Sequence, residues 1–131
     1  MELALTIVIT AFAALALWLA ARYVFGGDAE DISYDQAARI LAEEKRALLL
    51  DVRTAREHQT RRPVGAHNIP LQELKQRLTE LEPYRQYSIV VICASGMRSR
   101  MAVQTLRKQG FSGVKNFRGG ITNWQGELES G

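Results

Sequence analysis

Hydrophobic and polar positions divide this chain into two stretches of different texture. From Leu3 to Ala21, 19 residues run without a charge, and only Thr6 and Thr10 are polar. A helix of that length covers roughly 28 Å, close to the hydrocarbon thickness of a bilayer. It has no periodic polar face, which argues against an interfacial amphipathic helix. Trp18, Arg22, Tyr23 and Phe25 then supply aromatic rings and a cation suited to a membrane–water boundary. Beyond residue 25 the apolar positions come in short bursts. Ser33 and Gln36 have the spacing of a capping box, followed by Ala37, Ile40 and Leu41 at helical intervals to about Glu44. Ala47–Val52 is a continuous apolar run ending on Asp51-Val52, as in a strand buried on both faces. Leu71, Leu74, Leu78 and Leu81 repeat at helical spacing, with Pro83 after the stop. Tyr87–Ile92 is the clearest strand. Ser99–Gln109 reads as a helix with Met101, Val103 and Leu106 for burial and Gly110 after its end. Val114–Phe117 predicts a strand and Ile121–Leu128 a last short helix. Strands alternating with helices imply an α/β domain with a mostly parallel sheet.

Charge sharpens the division. Twenty-nine of the 31 charged residues follow residue 25, so the expected layout is a transmembrane anchor over 1–25, a linker over 26–31 and a folded domain over 32–131. A cleaved secretory signal would want a basic segment ahead of the apolar run; here only Met1 and Glu2 precede it. The first basic side chains, Arg22 and Arg39, come after the span. That bias predicts a single-pass protein of the cell (inner) membrane, N-terminus outside and domain in the cytoplasm. The domain's basic residues are interleaved with acids, which argues against nucleic-acid binding.

Cys93 is the one cysteine. An intramolecular disulfide and a multi-cysteine metal site are therefore excluded, and His58 and His67 lack ligand spacing for a metal site with Cys93. A lone free thiol suits a reducing cytoplasm. Cys93 falls between a buried strand and a helix, where open α/β sheets place their ligands. Ala94, Ser95, Gly96 and Met97 are small or unbranched and can curl their N–H groups into an anion-binding nest. Arg98 adds a cation. All three features favour the thiolate, the nucleophilic form of cysteine.

The segment Cys93-Ala94-Ser95-Gly96-Met97-Arg98-Ser99 resembles the active-site loop of the rhodanese family of sulfurtransferases. Asp51-Val52-Arg53 with Glu57, Gly65-Ala66-His67-Asn68-Ile69-Pro70-Leu71, and Gly119-Gly120 with Trp124 are similar to three further marks of that family, in order over about residues 30–128. One departure stands out: Arg61-Arg62-Pro63 occupies the place of the family's usual Gly-His-Ile. It reads either as a solvated basic loop or as a rim that steers anionic donors by charge.

The resemblance implies a rhodanese-like fold and transfer of a sulfane sulfur. Cys93 is the expected nucleophile, with Ala94, Ser95, Gly96, Met97 and Arg98 binding the substrate. A small anionic donor such as thiosulfate would load Cys93 as a persulfide, and a thiol, a protein or cyanide would take the sulfur off. No metal or organic cofactor is implied. Asp51 is expected to satisfy loop N–H groups, Arg53 to pair with Glu57, and Phe117 and Trp124 to fix the last helix. Two alternatives differ in class. One is a membrane-tethered interaction or persulfide-carrier module, against which the intact Cys93, Gly96 and Arg98 argue. The other is a Cys-dependent phosphatase, whose Cys-x5-Arg loop is one residue longer than the stretch from Cys93 to Arg98.

Overall fold

The computed structural model describes residues 1–25 and 31–131. Helix α1 (Glu2–Phe25) is exposed at every described side chain, through Ala21, and is long and apolar enough to cross a membrane. The two threonines of its apolar run bond back to the helix: Thr6 donates to the Glu2 carbonyl at 2.8 Å and Thr10 to the Thr6 carbonyl at 3.0 Å. Neither hydroxyl is left to demand water. The boundary side chains expected at Arg22, Tyr23 and Phe25 lie outside those described, as does the linker at 26–30.

Asp31, expected to end that linker, instead opens strand β1 (Asp31–Ile32). The remaining elements are α2 (Tyr34–Glu43), β2 (Ala47–Asp51), α3 (Ala55–Thr60), β3 (Arg62–Pro63), β4 (His67–Asn68), β5 (Ser88–Ile92), α4 (Met97–Lys108), β6 (Val114–Phe117) and β7 (Leu128–Glu129). Five strands form one sheet in the order β1-β6-β5-β2-β4, and every pairing in it is parallel. The expected mostly parallel sheet flanked by helices is therefore present. Alternation along β5 divides the core in two. Ile89 and Val91 face one side, with Ala102, Val103 and Leu106 of α4. Val90 and Ile92 face the other, with Ile32, Ala37 and Phe117.

Ser33 caps α2 as its spacing predicts, with Gln36 closing the box. Gly110 follows α4 at φ 91°. Three expectations fail. The leucine repeat does not make an α-helix: residues 71–73 and 78–84 form two separate 3-10 turns, and Pro83 lies inside the second. Three-residue spacing fits a 3-10 turn as well as an α-helix, and Leu74 and Leu81 are buried in either case. The final helix is replaced by a 3-10 turn at Gly120–Asn123 and by β7, which pairs antiparallel with β3. Met101 is 58% exposed, because Ala102, Val103 and Leu106 already occupy the face of α4 turned to the sheet.

Candidate active site

Four motif segments meet at the carboxyl end of the parallel sheet. Strand β5 delivers Cys93 directly off its last residue, Ile92. The chain then turns through Ala94 and Ser95 to Gly96, which caps α4 at φ 102°, a conformation that L side chains rarely adopt. The Gly119-Gly120 pair backs this loop. A Cβ on Gly120 would stand 2.2 Å from the Ala94 carbonyl oxygen, so only a glycine lets the two segments lie together. Ile121 then donates its N–H to the Cys93 carbonyl at 2.9 Å. Trp124 closes the region edge-on to Phe117 and Tyr34, at 5.3 and 5.1 Å between ring centroids.

Cys93 has no accessible surface. Its sulfur accepts the Gly96 N–H at 2.9 Å and lies 3.3 Å from the Ser99 hydroxyl. Burial pushes the thiol's pKa up. Hydrogen bonds from the Ser99 hydroxyl and from the N–H groups of Ser99, Gly96 and Ser95 outweigh it, and the net shift is downward. The lowered pKa favours the nucleophilic form of the thiol. Ser99 is also tied behind: its hydroxyl lies within hydrogen-bond reach of the Gly96 carbonyl and of Asn116 Oδ1. Asn116 in turn donates to Asp31 at 2.8 Å. A polar chain, buried at Cys93, Ser99 and Asn116, therefore runs from the thiol through α4 and β6 to the partly exposed first residue of the sheet's edge strand.

The carboxylates and arginines are partnered differently from the expectation. Arg53 does not pair with Glu57; it grips Asp51 through Nε at 3.0 Å and Nη2 at 2.8 Å. Asp51 also accepts the Arg53 N–H and lies 2.9 Å from His58 Nδ1. Glu57 binds Arg98 instead, with contacts of 2.7 and 3.0 Å. The exchange follows from α3, where a Thr54/Glu57 capping box starts a helix immediately after Arg53 and carries Glu57 out towards α4. The Arg98 guanidinium holds Glu57 well down, at about 2, against the opposing effect of burial. Arg98 is accordingly spent on Glu57 and makes no hydrogen bond to Cys93 among the described residues.

Met97 is exposed at the lip of the loop, and Ala94 and Ser95 form its turn. Asn68, in the Gly-Ala-x-Asn segment, clamps the end of β2 by donating to the Asp51 and Arg53 carbonyls, each at 2.9 Å. The Arg61-Arg62-Pro63 departure is only partly a free basic rim. Arg62 turns to Glu129 at 3.1 Å and its strand pairs with β7, whereas the Arg61 side chain is exposed. Sequence reasoning missed the chemical roles open to Ser99, Asn116 and Glu57. Signals existed: Thr54-x-x-Glu57 is a capping-box spacing, and Asn116 is a polar residue inside a buried strand.

Comparisons with known proteins identify the family. A model of the rhodanese-like domain matches residues 33–127. The chain is 34% identical over 130 residues to the uncharacterized protein YqhL of Bacillus subtilis, covering 95% of each chain. It is 33% identical over 94 residues to a sulfurtransferase of Allochromatium vinosum, covering 72% of this chain and 86% of that one. The crystal structure of a rhodanese-like domain protein from Staphylococcus aureus superimposes with a TM-score of 0.68 at 28% identity, over 77% of this chain and 97% of that one. With a cysteine loop cradled at the sheet's carboxyl edge and a family match across nearly the whole folded part, the chain belongs to the rhodanese-like domain family.

Proposed function

We propose that this protein is a sulfurtransferase that carries a sulfane sulfur on Cys93 and works at a membrane surface. The Gly96 N–H that donates to the Cys93 sulfur at 2.9 Å, with the Ser99 hydroxyl 3.3 Å from that sulfur, is the observation that carries this reading. The family match and the sulfurtransferase relative support it.

In the first half-reaction the Cys93 thiolate attacks the outer sulfur of an anionic donor such as thiosulfate. The new S–S bond forms as the donor's S–S bond breaks, and sulfite departs with the bonding pair. Cys93 then holds a terminal sulfur bearing the negative charge. Donors already aimed into the loop can stabilise that charge without reorganising, an effect worth about 3 kcal/mol per well-placed donor. Ala94, Ser95, Gly96 and Met97 shape the cradle, and Arg98 attracts the incoming anion once Glu57 shares it. In the second half-reaction an acceptor thiolate or cyanide attacks the terminal sulfur, taking it as a persulfide or thiocyanate and restoring the Cys93 thiolate. Two half-reactions through one covalent intermediate imply ping-pong kinetics.

Helix α1 is read as a single-pass anchor, followed by a linker at 26–30 that tethers the domain at the cytoplasmic face. The lysine and arginine bias of its flanks supports that orientation. Steady-state rates with thiosulfate and cyanide test the chemistry: parallel double-reciprocal lines are expected, and intersecting lines would contradict a persulfide relay. Reporter fusions to the C-terminus test the topology. A cytoplasm-active fluorescent protein should light up and a periplasm-dependent phosphatase stay silent; the reverse would place the domain outside.

A further inference from the structure

A groove lies between α4 and the 71–75 segment, lined by Leu71, Leu74, Lys75, Met101, Gln104 and Lys108. It encloses about 300 Å³, enough for a few side chains of a partner but not for a folded body. Its upstream end leads towards the active loop, since Met101 lies one helical turn from Met97 at the loop's lip. Met97 is 76% exposed and Met101 58%, and both lie on the same face of α4. Two large flexible apolar side chains exposed together beside a reactive centre suit an adaptable contact surface.

The charge is one-sided. Helix α4 carries Arg98, Arg100, Arg107 and Lys108 and no acidic residue. Arg98 and Arg100 are neutralised by Glu57 and Asp31. Lys75 and Lys108 have no ion-pair partner among the described residues, and no carboxylate lines the groove. Glu73, the nearest acid in sequence, is turned to Arg77 at 3.5 Å. Cys93 itself has no exposed surface, so an acceptor thiol has to be presented at the loop's mouth and held there.

We propose that this groove docks the sulfur acceptor, and that the acceptor is a protein offering its thiol beside an acidic segment that bears an apolar side chain. Carboxylates of that segment would meet Lys75 and Lys108, and the apolar residue would cover Met97 and Met101. The proposal rests on the Cys93 persulfide reading and names the class of acceptor for it.

The test uses the full-length chain in a neutral detergent and two synthetic cysteine peptides. One alternates acidic residues with leucine; the other has lysine at each acidic position. Cys93 is loaded with thiosulfate, and the rates of sulfur transfer to each peptide and to cyanide are measured. The acidic peptide should outrun the basic one by about tenfold or more at low salt, with the advantage shrinking as salt is raised. Lys75→Glu with Lys108→Glu, both at exposed positions, should reverse the preference and leave the cyanide rate within about twofold of wild type. Equal rates for the two peptides would overturn the proposal. So would a charge reversal that slows cyanide as much as the acidic peptide. A fluorescent acidic peptide with serine in place of cysteine separates docking from chemistry. Its anisotropy titration should show saturable binding that the double variant loses, and no binding to wild type would overturn the docking surface. Failure of Cys93 to load sulfur would instead defeat the persulfide reading, with docking judged by this titration.

Discussion

Two arginine–carboxylate pairs flank the Cys93 loop, and they differ in almost every physical respect. Asp51–Arg53 sits at the end of β2, with its side chains 0% and 5% exposed. Every oxygen of its carboxylate is engaged, by the Arg53 side chain and N–H and by His58. Arg53 also donates to the Arg61 carbonyl. Glu57–Arg98 joins α3 to α4, with side chains 36% and 30% exposed. The first pair is part of the scaffold: charges taken out of water need complete satisfaction, and neither partner can leave without stranding the other. The second faces solvent, where an ion pair makes and breaks at little expense. The Cys93 loop thus has a fixed pair on one side and an exchangeable pair on the other, and the proposed reaction needs it to stay shaped while a donor enters and leaves.

The largest expected effect breaks the fixed pair. Asp51→Ala leaves Arg53 charged and buried, and should destabilise the domain by about 3–5 kcal/mol, read as a lowered denaturation midpoint. Asp51 and Arg53 replaced together by similar-sized apolar residues should cost less than the single change, because no buried charge is then stranded. A midpoint for Asp51→Ala close to wild type would erase the distinction between the two pairs.

Next come the groups around the Cys93 sulfur. Ser99→Ala removes the hydroxyl that lies 3.3 Å from the Cys93 sulfur and should raise the thiol pKa towards the ordinary cysteine value. Wild-type kcat/KM should rise as Cys93 ionises and level off below that value, since its pKa is lowered. In Ser99→Ala the inflection should move to higher pH and the neutral-pH rate should fall by roughly tenfold to a hundredfold. An unmoved inflection would remove Ser99 from thiolate stabilisation.

Smaller effects should come from the exchangeable pair. Glu57→Gln should change stability by less than about 1 kcal/mol and lower KM for thiosulfate by freeing Arg98, whereas Arg98→Ala should raise that KM. Because the folded Glu57 titrates at about 2 rather than 4.5, its contribution is complete above pH 4.5 and is lost as pH falls through that range towards 2. Thiosulfate KM should therefore show no inflection from Glu57 between pH 5 and 7. High salt should mimic Glu57→Gln only in part, since it also screens the donor anion. The smallest effect should be Arg62→Ala at the half-exposed contact with Glu129, within about 0.5 kcal/mol of wild type.

The fixed pair and the exchangeable pair also mark how far the sequence could be read. Segments whose signals are local came through directly: the Ser33 cap of α2, the apolar runs of β2 and β5, and the glycine after α4. The turn that carries Cys93 was legible too, because small residues interrupt the chain between an apolar strand and a helix. The partnering of the arginines was not, because it depends on where α3 sends Glu57. That direction is a tertiary fact, even though the Thr54-x-x-Glu57 spacing hinted at the helix. The leucines at 71, 74, 78 and 81 pointed to an α-helix because burial at three-residue spacing leaves the backbone geometry open. Asn116 was passed over since an apolar strand hides one polar residue, and its partners Ser99 and Asp31 lie 17 and 85 positions away in sequence.

The central claim is that sulfur resides covalently on Cys93, and intact mass spectrometry tests it most directly. The full-length chain is treated with thiosulfate, freed of excess reagent and weighed, beside Cys93→Ser handled identically. The wild type should gain the mass of one sulfur atom, lose it on treatment with dithiothreitol or cyanide, and show the modification on the Cys93 peptide after digestion. The serine variant should gain nothing. A wild type that stays unmodified, or a serine variant that gains the same mass, would contradict the account.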